Sequence, residues 1–455
     1  MYSPGTSNST TGPWNSSDVA PRFGATKLAA GAPHIRAFCE CVGVCAIRAA
    51  LMLAVIFALV LMATLPAQAQ TEIVLYNFCP WPYSCTDGCS PQGNLTSDGA
   101  GNFYGTTTEG GQGGGTVFEL SPNGSGGWNE TVLYSPGQAG GGGGDLNSDV
   151  IFDSVGNLYG TTWGGGAYGN GYVFELSPVG GSWAETVVYS FTGGADGGWP
   201  VSGLILDPAG NLYGTTGWGG AEGSGTVFEL SPSGGGWTEQ VIYSMQLAGS
   251  TCGGVTMDAV GNLFGLGDGG VFELSPSGSG SWNSTTLHTF TGPPKDGWGG
   301  YCGPLVLDKA GNLYGTTVAG GAKDWGMVYR LSPIKKGKNK GQWKERILHS
   351  FKSGKGGKDG NTPVAGVVLD AAGNIYGTTS LGGRYGDGTV FELMAPVGAG
   401  VYKERILWSF NGTDGNQPQG SLLLDSAGNL YGTTYVGGIV NGRVDGAGVV
   451  FEVTP

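Results

Sequence analysis

From Thr71 onward the chain reads as short apolar runs in which side chains alternate in and out, broken every few residues by Gly, Pro and Asp. That period of two, with β-branched and aromatic residues, predicts strands. One unit shows four of them: Leu204-Ile-Leu-Asp207, Asn211-Leu-Tyr-Gly-Thr-Thr216, Thr226-Val-Phe-Glu-Leu230 closed by Ser231-Pro232, and Trp237-Thr-Glu-Gln-Val-Ile-Tyr-Ser244. The unit recurs. A pentad Gly-Asn-(Leu/Phe/Ile)-(Tyr/Phe)-Gly begins at 101, 156, 210, 261, 311, 373 and 428. Seven copies of a four-stranded unit about 50 residues long predict an all-β, seven-bladed β-propeller of four-stranded blades, one domain over 71–455.

The two ends of the repeat region complement one another. The last unit stops after its third strand, Val449-Val-Phe-Glu-Val453, while Thr71-Glu-Ile-Val-Leu-Tyr-Asn-Phe78 matches fourth strands such as Glu185-Thr-Val-Val-Tyr-Ser-Phe191. The amino-terminal strand is therefore expected to complete the seventh blade and close the ring, leaving no unpaired edge at the seam.

Composition excludes the competing classes. Gly (93) and Pro (23) make about a quarter of 455 residues, but 13 Trp, 19 Tyr and 17 Phe are too many for a disordered chain. Only 12% of residues are charged, which excludes coiled coils and helical arrays. The net charge is -13, and without residues 1–69 it is -15. A nucleic-acid partner is disfavoured; the Lys-rich stretch from Lys335 to Lys358 reads as a solvated loop.

Residues 46–69 read as a signal peptide: an uncharged apolar run follows Arg36 and Arg48 and ends in Pro66-Ala67-Gln68-Ala69, an A-x-A cleavage site. Residues 1–45 read as an unstructured leader or a start called too early. The expectation is a secreted protein, extracellular or periplasmic, cleaved near Ala69, monomeric and without a stable membrane anchor.

The recurring D-x-x-G-N-L-Y-G-T-T, G-G and G-x-V-F-E-L-S-P motifs over 71–455 resemble the GloVer tandem repeat of secreted bacterial proteins. The D-x-x-G-N turn is also similar to that of sensor-type and NHL-type propeller repeats. The resemblance implies a secreted or surface-displayed propeller-like array and transfers no activity. Blade four departs from it, with Gly265-Leu-Gly-Asp268 in place of Gly-Thr-Thr, and no C-terminal anchor of the kind often found there follows Phe451-Glu-Val-Thr-Pro455.

Residues present in every unit read as structural. Asp98, Asp153, Asp207, Asp258, Asp308, Asp370 and Asp425 precede the Gly-Asn turn, where a carboxylate can accept backbone N–H groups. Calcium ligation is the alternative reading. Trp128, Trp183, Trp237, Trp282 and Trp343, with Tyr402, open the fourth strand and read as packing rings. His288 and His349 stand where Tyr134, Tyr189 and Tyr243 stand in other units and read as packing variants. No catalytic triad, metal motif, phosphate loop or cofactor signature is present, so no cofactor is expected.

The non-repeated residues carry the functional expectation. In an up-and-down blade, the loops between strands two and three and between blades share one face. Trp163, Trp199, Trp218, Trp298, Trp325 and Tyr168 fall on it, with Asp196, Asp296, Asp359 and Asp414 beside such rings. Rings next to carboxylates suit carbohydrate or peptide ligands. The favoured function is a non-enzymatic binding or adhesion module for an extracellular glycan or protein surface. The alternative is a carbohydrate-active hydrolase or lyase using carboxylates near the central channel. Trp163, Trp199 and Trp218 form the densest group. Cys252 and Cys302, each six residues before the blade Asp, are expected to form a disulfide, with a second bridge among Cys79, Cys85 and Cys89 leaving one odd thiol.

Overall fold

In the computed structural model, the described residues are 70–455 apart from the short segments 80–84, 138–143, 248–252, 279, 299–302, 353–357, 399 and 445. Each unit folds as an antiparallel sheet read from the centre outward. In blade three the order is Ile205–Leu206, Leu212–Trp218, Thr226–Ser233 and Gly236–Ser244. Seven such sheets make a seven-bladed propeller, with no helix among the described residues. The innermost strand is shorter than the apolar run: only Ile205 and Leu206 of 204–207 pair with the next strand.

The second strand is buried along all five of its residues in Leu158–Thr162 and Ile375–Thr379. It packs on both faces, which is why it reads as continuous rather than alternating. Its central Gly is required by the third strand. A Cβ on Gly214 would stand 2.5 Å from Phe228 Cζ, and the equivalent rings of Phe118, Phe174 and Phe391 cover Gly105, Gly160 and Gly377.

The apolar core lies between blades. Each of seven buried clusters joins two neighbours: Tyr159 and Val173 of blade two, for instance, pack with Leu212 and Phe228 of blade three. A ring ending the fourth strand wedges into the next blade edge-on, as Phe191 does on Phe228 at 5.0 Å and Phe351 on Phe391 at 5.3 Å. Fully burying one such side chain is worth about 2–3 kcal/mol.

The ring closes through Thr71–Asn77, antiparallel to Val449–Thr454, with Thr71 opposite Thr454 and Asn77 opposite Val449. Phe78, fully buried, then meets Phe118 of blade one at 5.2 Å, so the closing strand repeats the wedge that Phe191, Phe290, Phe351 and Phe410 make at other seams.

The Thr pairs do more than favour strands. The first Thr donates its hydroxyl across the seam to a carbonyl at the entry of the next blade: Thr106 to Ser148, Thr316 to Ala365 at 2.7 Å, Thr378 to Gly420, Thr433 to Gly93. The second Thr bonds the carbonyl two residues on, as Thr216 does with Trp218. Blade four, with Leu266, lacks the latch.

Cys79 and Cys85 are disulfide-bonded and Cys89 is a buried free thiol. Burial, then the carboxylates of Glu109 and Asp87, push the Cys89 thiol up to about 12. The expected Cys252–Cys302 bridge and the segments 1–45 and 46–69 lie outside the described residues.

Candidate functional site

The site on the variable-loop face begins with a backbone seat. In four blades the residue before a proline takes a left-handed conformation: Ser90 (φ 58°), Trp199 (φ 53°), Thr362 (φ 57°) and Gln417 (φ 58°). Its N–H bonds the carbonyl of a preceding-blade loop, Trp199 to Asn170 at 2.8 Å and Thr362 to Trp325 at 3.1 Å. The proline then lies against a glycine of that blade, Pro200 on Gly171 and Pro418 on Gly388. Such a φ in a bulky residue costs of order 1 kcal/mol and is held only where the surroundings fix it. The seat therefore belongs to the fold, and the indole on it is a choice of side chain.

That indole lies between two others. Trp163 stacks on Trp199 with centroids 5.1 Å apart and planes 24° apart, and Trp218 lies on its other side at 5.6 Å and 34°. Trp163 directly follows the second strand of blade two, Leu158–Thr162, and Trp218 ends that of blade three, where Gly198–Pro200 pairs with it. Trp163 is 39% and Trp218 50% exposed, and Trp199 is half-buried between them. Elsewhere the position of Trp163 is filled by Thr108, Val318, Ser380 and Tyr435, so the fold does not call for a ring there.

The remaining predicted rings stay apart. Tyr168 (62% exposed) lies on the blade-two loop near Tyr189. Trp298 (60%), on Gly297–Trp298, covers Gly292, and Trp325 is also exposed. Among the described residues no ring contact joins these three to the stack.

The carboxylates expected beside the rings turn into the seams instead, which corrects the expectation of a carboxylate-lined face. Asp296 and Asp414 are buried. Each takes a donor from the last turns of the fourth strand: Tyr189 to Asp196 at 3.0 Å, Trp408 to Asp414 at 3.1 Å, and likewise Tyr76 to Asp87 at 2.9 Å. A Glu from the next blade's fourth strand completes the group. Burial, then the neighbouring Asp, pushes Glu72 up to about 8 and Glu130 and Glu239 up to about 7. The signal was present in the sequence as Glu-x-x-x-(Tyr/His/Trp) in the fourth strands, for example Glu72 with Tyr76 and Glu404 with Trp408.

At two seams the ring is histidine. His288 and His349 do pack, edge-on to Phe290 at 5.0 Å and Phe351 at 4.7 Å, as Tyr189 packs on Phe191. Each also faces two carboxylates, which the packing reading missed. His349 Nε2 lies 3.5 Å from Asp359 and 3.3 Å from Glu404; His288 Nε2 lies 3.3 Å from Asp296 and 3.8 Å from Glu345. Burial and Asp359 push Glu404 up to about 9, and burial and Asp296 push Glu345 up to about 7.

The seven blade Asp residues sit on the opposite turns. Asp207 Oδ1 accepts from Ala209 N and Asn211 N at 2.8 Å, and Oδ2 accepts from Asn211 Nδ2 at 2.9 Å. Asp98, Asp153, Asp258, Asp308, Asp370 and Asp425 repeat this.

The family model described as Gloeobacter/Verrucomicrobia repeat matches residues 127–271 and 266–455. No curated protein sequence matches the chain. Among solved structures, virginiamycin B lyase from Staphylococcus aureus is similar over 85% of this chain and 99% of its own, at 12% identity and TM-score 0.51. A puromycin hydrolase variant aligns at 14% identity over 82% of this chain and 53% of its own, TM-score 0.45. At 12% identity the likeness to the lyase concerns the fold alone.

Proposed function

This chain belongs to the Gloeobacter/Verrucomicrobia repeat family, and we propose that it is a secreted, non-enzymatic binding or adhesion module that holds a carbohydrate on the Trp163–Trp199–Trp218 stack. The observation that carries this reading is the stack itself. Two indoles are left exposed around a third whose backbone is clamped, on a seat that elsewhere takes Ser, Thr or Gln. Rings fixed before binding lose little freedom on binding, and their faces suit the apolar faces of sugar rings. The Cys79–Cys85 disulfide fits an oxidising compartment.

A glycan-array screen of the purified chain tests this. The expected result is binding to one glycan class, weakened by about 2 kcal/mol or more, roughly thirtyfold, in Trp163→Ala and Trp218→Ala. An array without a hit, hits undiminished in both variants, or turnover of the bound glycan would overturn it.

A further inference from the structure

We propose that His349, Asp359 and Glu404 form a divalent transition-metal site, suited to Zn²⁺, that pins blade five to blade six. The three come from separate elements: the fourth strand Trp343–Ser350, the loop entering Gly360–Asn361, and the next blade's fourth strand Lys403–Ser409. One ligand atom from each lies within 4.8 Å of the others.

The spacing distinguishes this seam from those at Tyr76, Tyr189 and Trp408. Tyr76, Tyr189 and Trp408 make hydrogen bonds of 2.9 to 3.1 Å to their Asp, because a phenol O–H or indole N–H can only donate there. Imidazole brings a lone pair instead, and His349 Nε2 stands 3.5 and 3.3 Å from its two carboxylate oxygens. Both separations exceed an ordinary N–H···O bond. They match the ligand-to-ligand edge of a tetrahedron with bonds of ~2.0–2.2 Å, about 3.4 Å.

The ligands are held from outside. The ring of His349 is fixed edge-on against Phe351, and Lys352 N donates to Asp359 Oδ2 at 2.9 Å, leaving Oδ1 as the oxygen toward the imidazole. Such outer partners orient metal ligands. One imidazole and two carboxylates leave a fourth position for water. The related seam at His288 is looser: Asp296 already accepts from Gly297 N and from Thr291, and Glu345 is 3.8 Å away. It is expected to bind more weakly.

Chelator-stripped protein titrated with ZnCl₂ at pH 7.5, by calorimetry and by metal analysis after dialysis, tests the assignment. One tight equivalent is expected, with a rise in melting temperature and, with Co²⁺, the visible absorption of a tetrahedral site. His349→Tyr, which restores the ring other seams carry, and Glu404→Gln should each weaken Zn²⁺ by at least about tenfold. His288→Tyr should keep the tight equivalent. Circular dichroism and melting in chelator establish that each variant is folded. Absence of a stoichiometric equivalent in the parent chain, or tight binding retained in both His349→Tyr and Glu404→Gln, would overturn the assignment.

Discussion

In every blade but the fourth, the first Thr of the Thr pair supplies a hydroxyl that bonds the next blade. Thr316 is buried and its hydroxyl is 2.7 Å from the Ala365 carbonyl. Thr316→Val keeps the shape and β-branching but leaves that buried carbonyl without the bond, which costs about 1–3 kcal/mol. Chemical denaturation should show this loss with an unchanged slope; stability within 0.5 kcal/mol, roughly the scatter of a neutral surface change, would show that the latch contributes nothing. In the sequence the Thr pair is visible as a motif. Its role is not, because the acceptor is a backbone atom in a different blade, some 40–50 residues away or, for Thr433, 340 residues away. The same limit hid the seam acids. Glu239 and Tyr243 are close in sequence, but Glu239 acts on Tyr189 and Asp196 of the preceding blade.

At the scale of the strand, ring closure was legible because each end of the repeat lacks what the other provides. A chain starting at residue 79 loses Thr71–Asn77 and the Phe78 wedge, exposing the edge Val449–Thr454. Its melting temperature should fall by several degrees, with concentration-dependent association through the open edge. A monomer that melts unchanged would contradict closure by this strand. The short pairings on the loop face, such as Gly297–Trp298 with Ala319–Gly320 and Gly360–Asn361 with Leu381–Gly382, were not legible. Two-residue strands leave no alternation to read, and their Gly-rich sequences resemble open loops. These pairings are what fix the rings on that face, including Trp218 opposite Gly198.

Across the whole molecule the seams give stability a pH dependence with a definite sign. Glu72 faces Trp408 and Asp414, Glu130 faces Tyr76 and Asp87, and Glu239 faces Tyr189 and Asp196. Their folded values of about 8, 7 and 7 lie above the ordinary 4.5, so the folded chain holds these protons more tightly. Their contribution is complete below pH 4.5 and is lost as pH rises through about 7 to 8. The turn carboxylates act oppositely: burial opposes their ionisation, but hydrogen bonds from Asn312 and Asn429 hold Asp308 and Asp425 below their usual range. Their contribution is lost as pH falls through those lowered values. Melting scans should therefore fall from pH 5 to pH 8.5, and Glu72→Gln with Glu130→Gln and Glu239→Gln should flatten that slope. A level parent profile would show that the seam acids are ionised in the folded ring. The same rigid frame is what presents the indoles, and the most direct test of that is Trp199→Ser, which places on the seat the residue blade one already carries there. Titration with the glycan found on the array, read by tryptophan fluorescence beside a melting curve, should show binding lost and the melting temperature nearly unchanged, while Trp237→Ala, which removes the ring packed on Tyr159, lowers stability and spares affinity. If Trp199→Ser melts as low as Trp237→Ala, or binds as the parent does, the stack is packing and not a binding site.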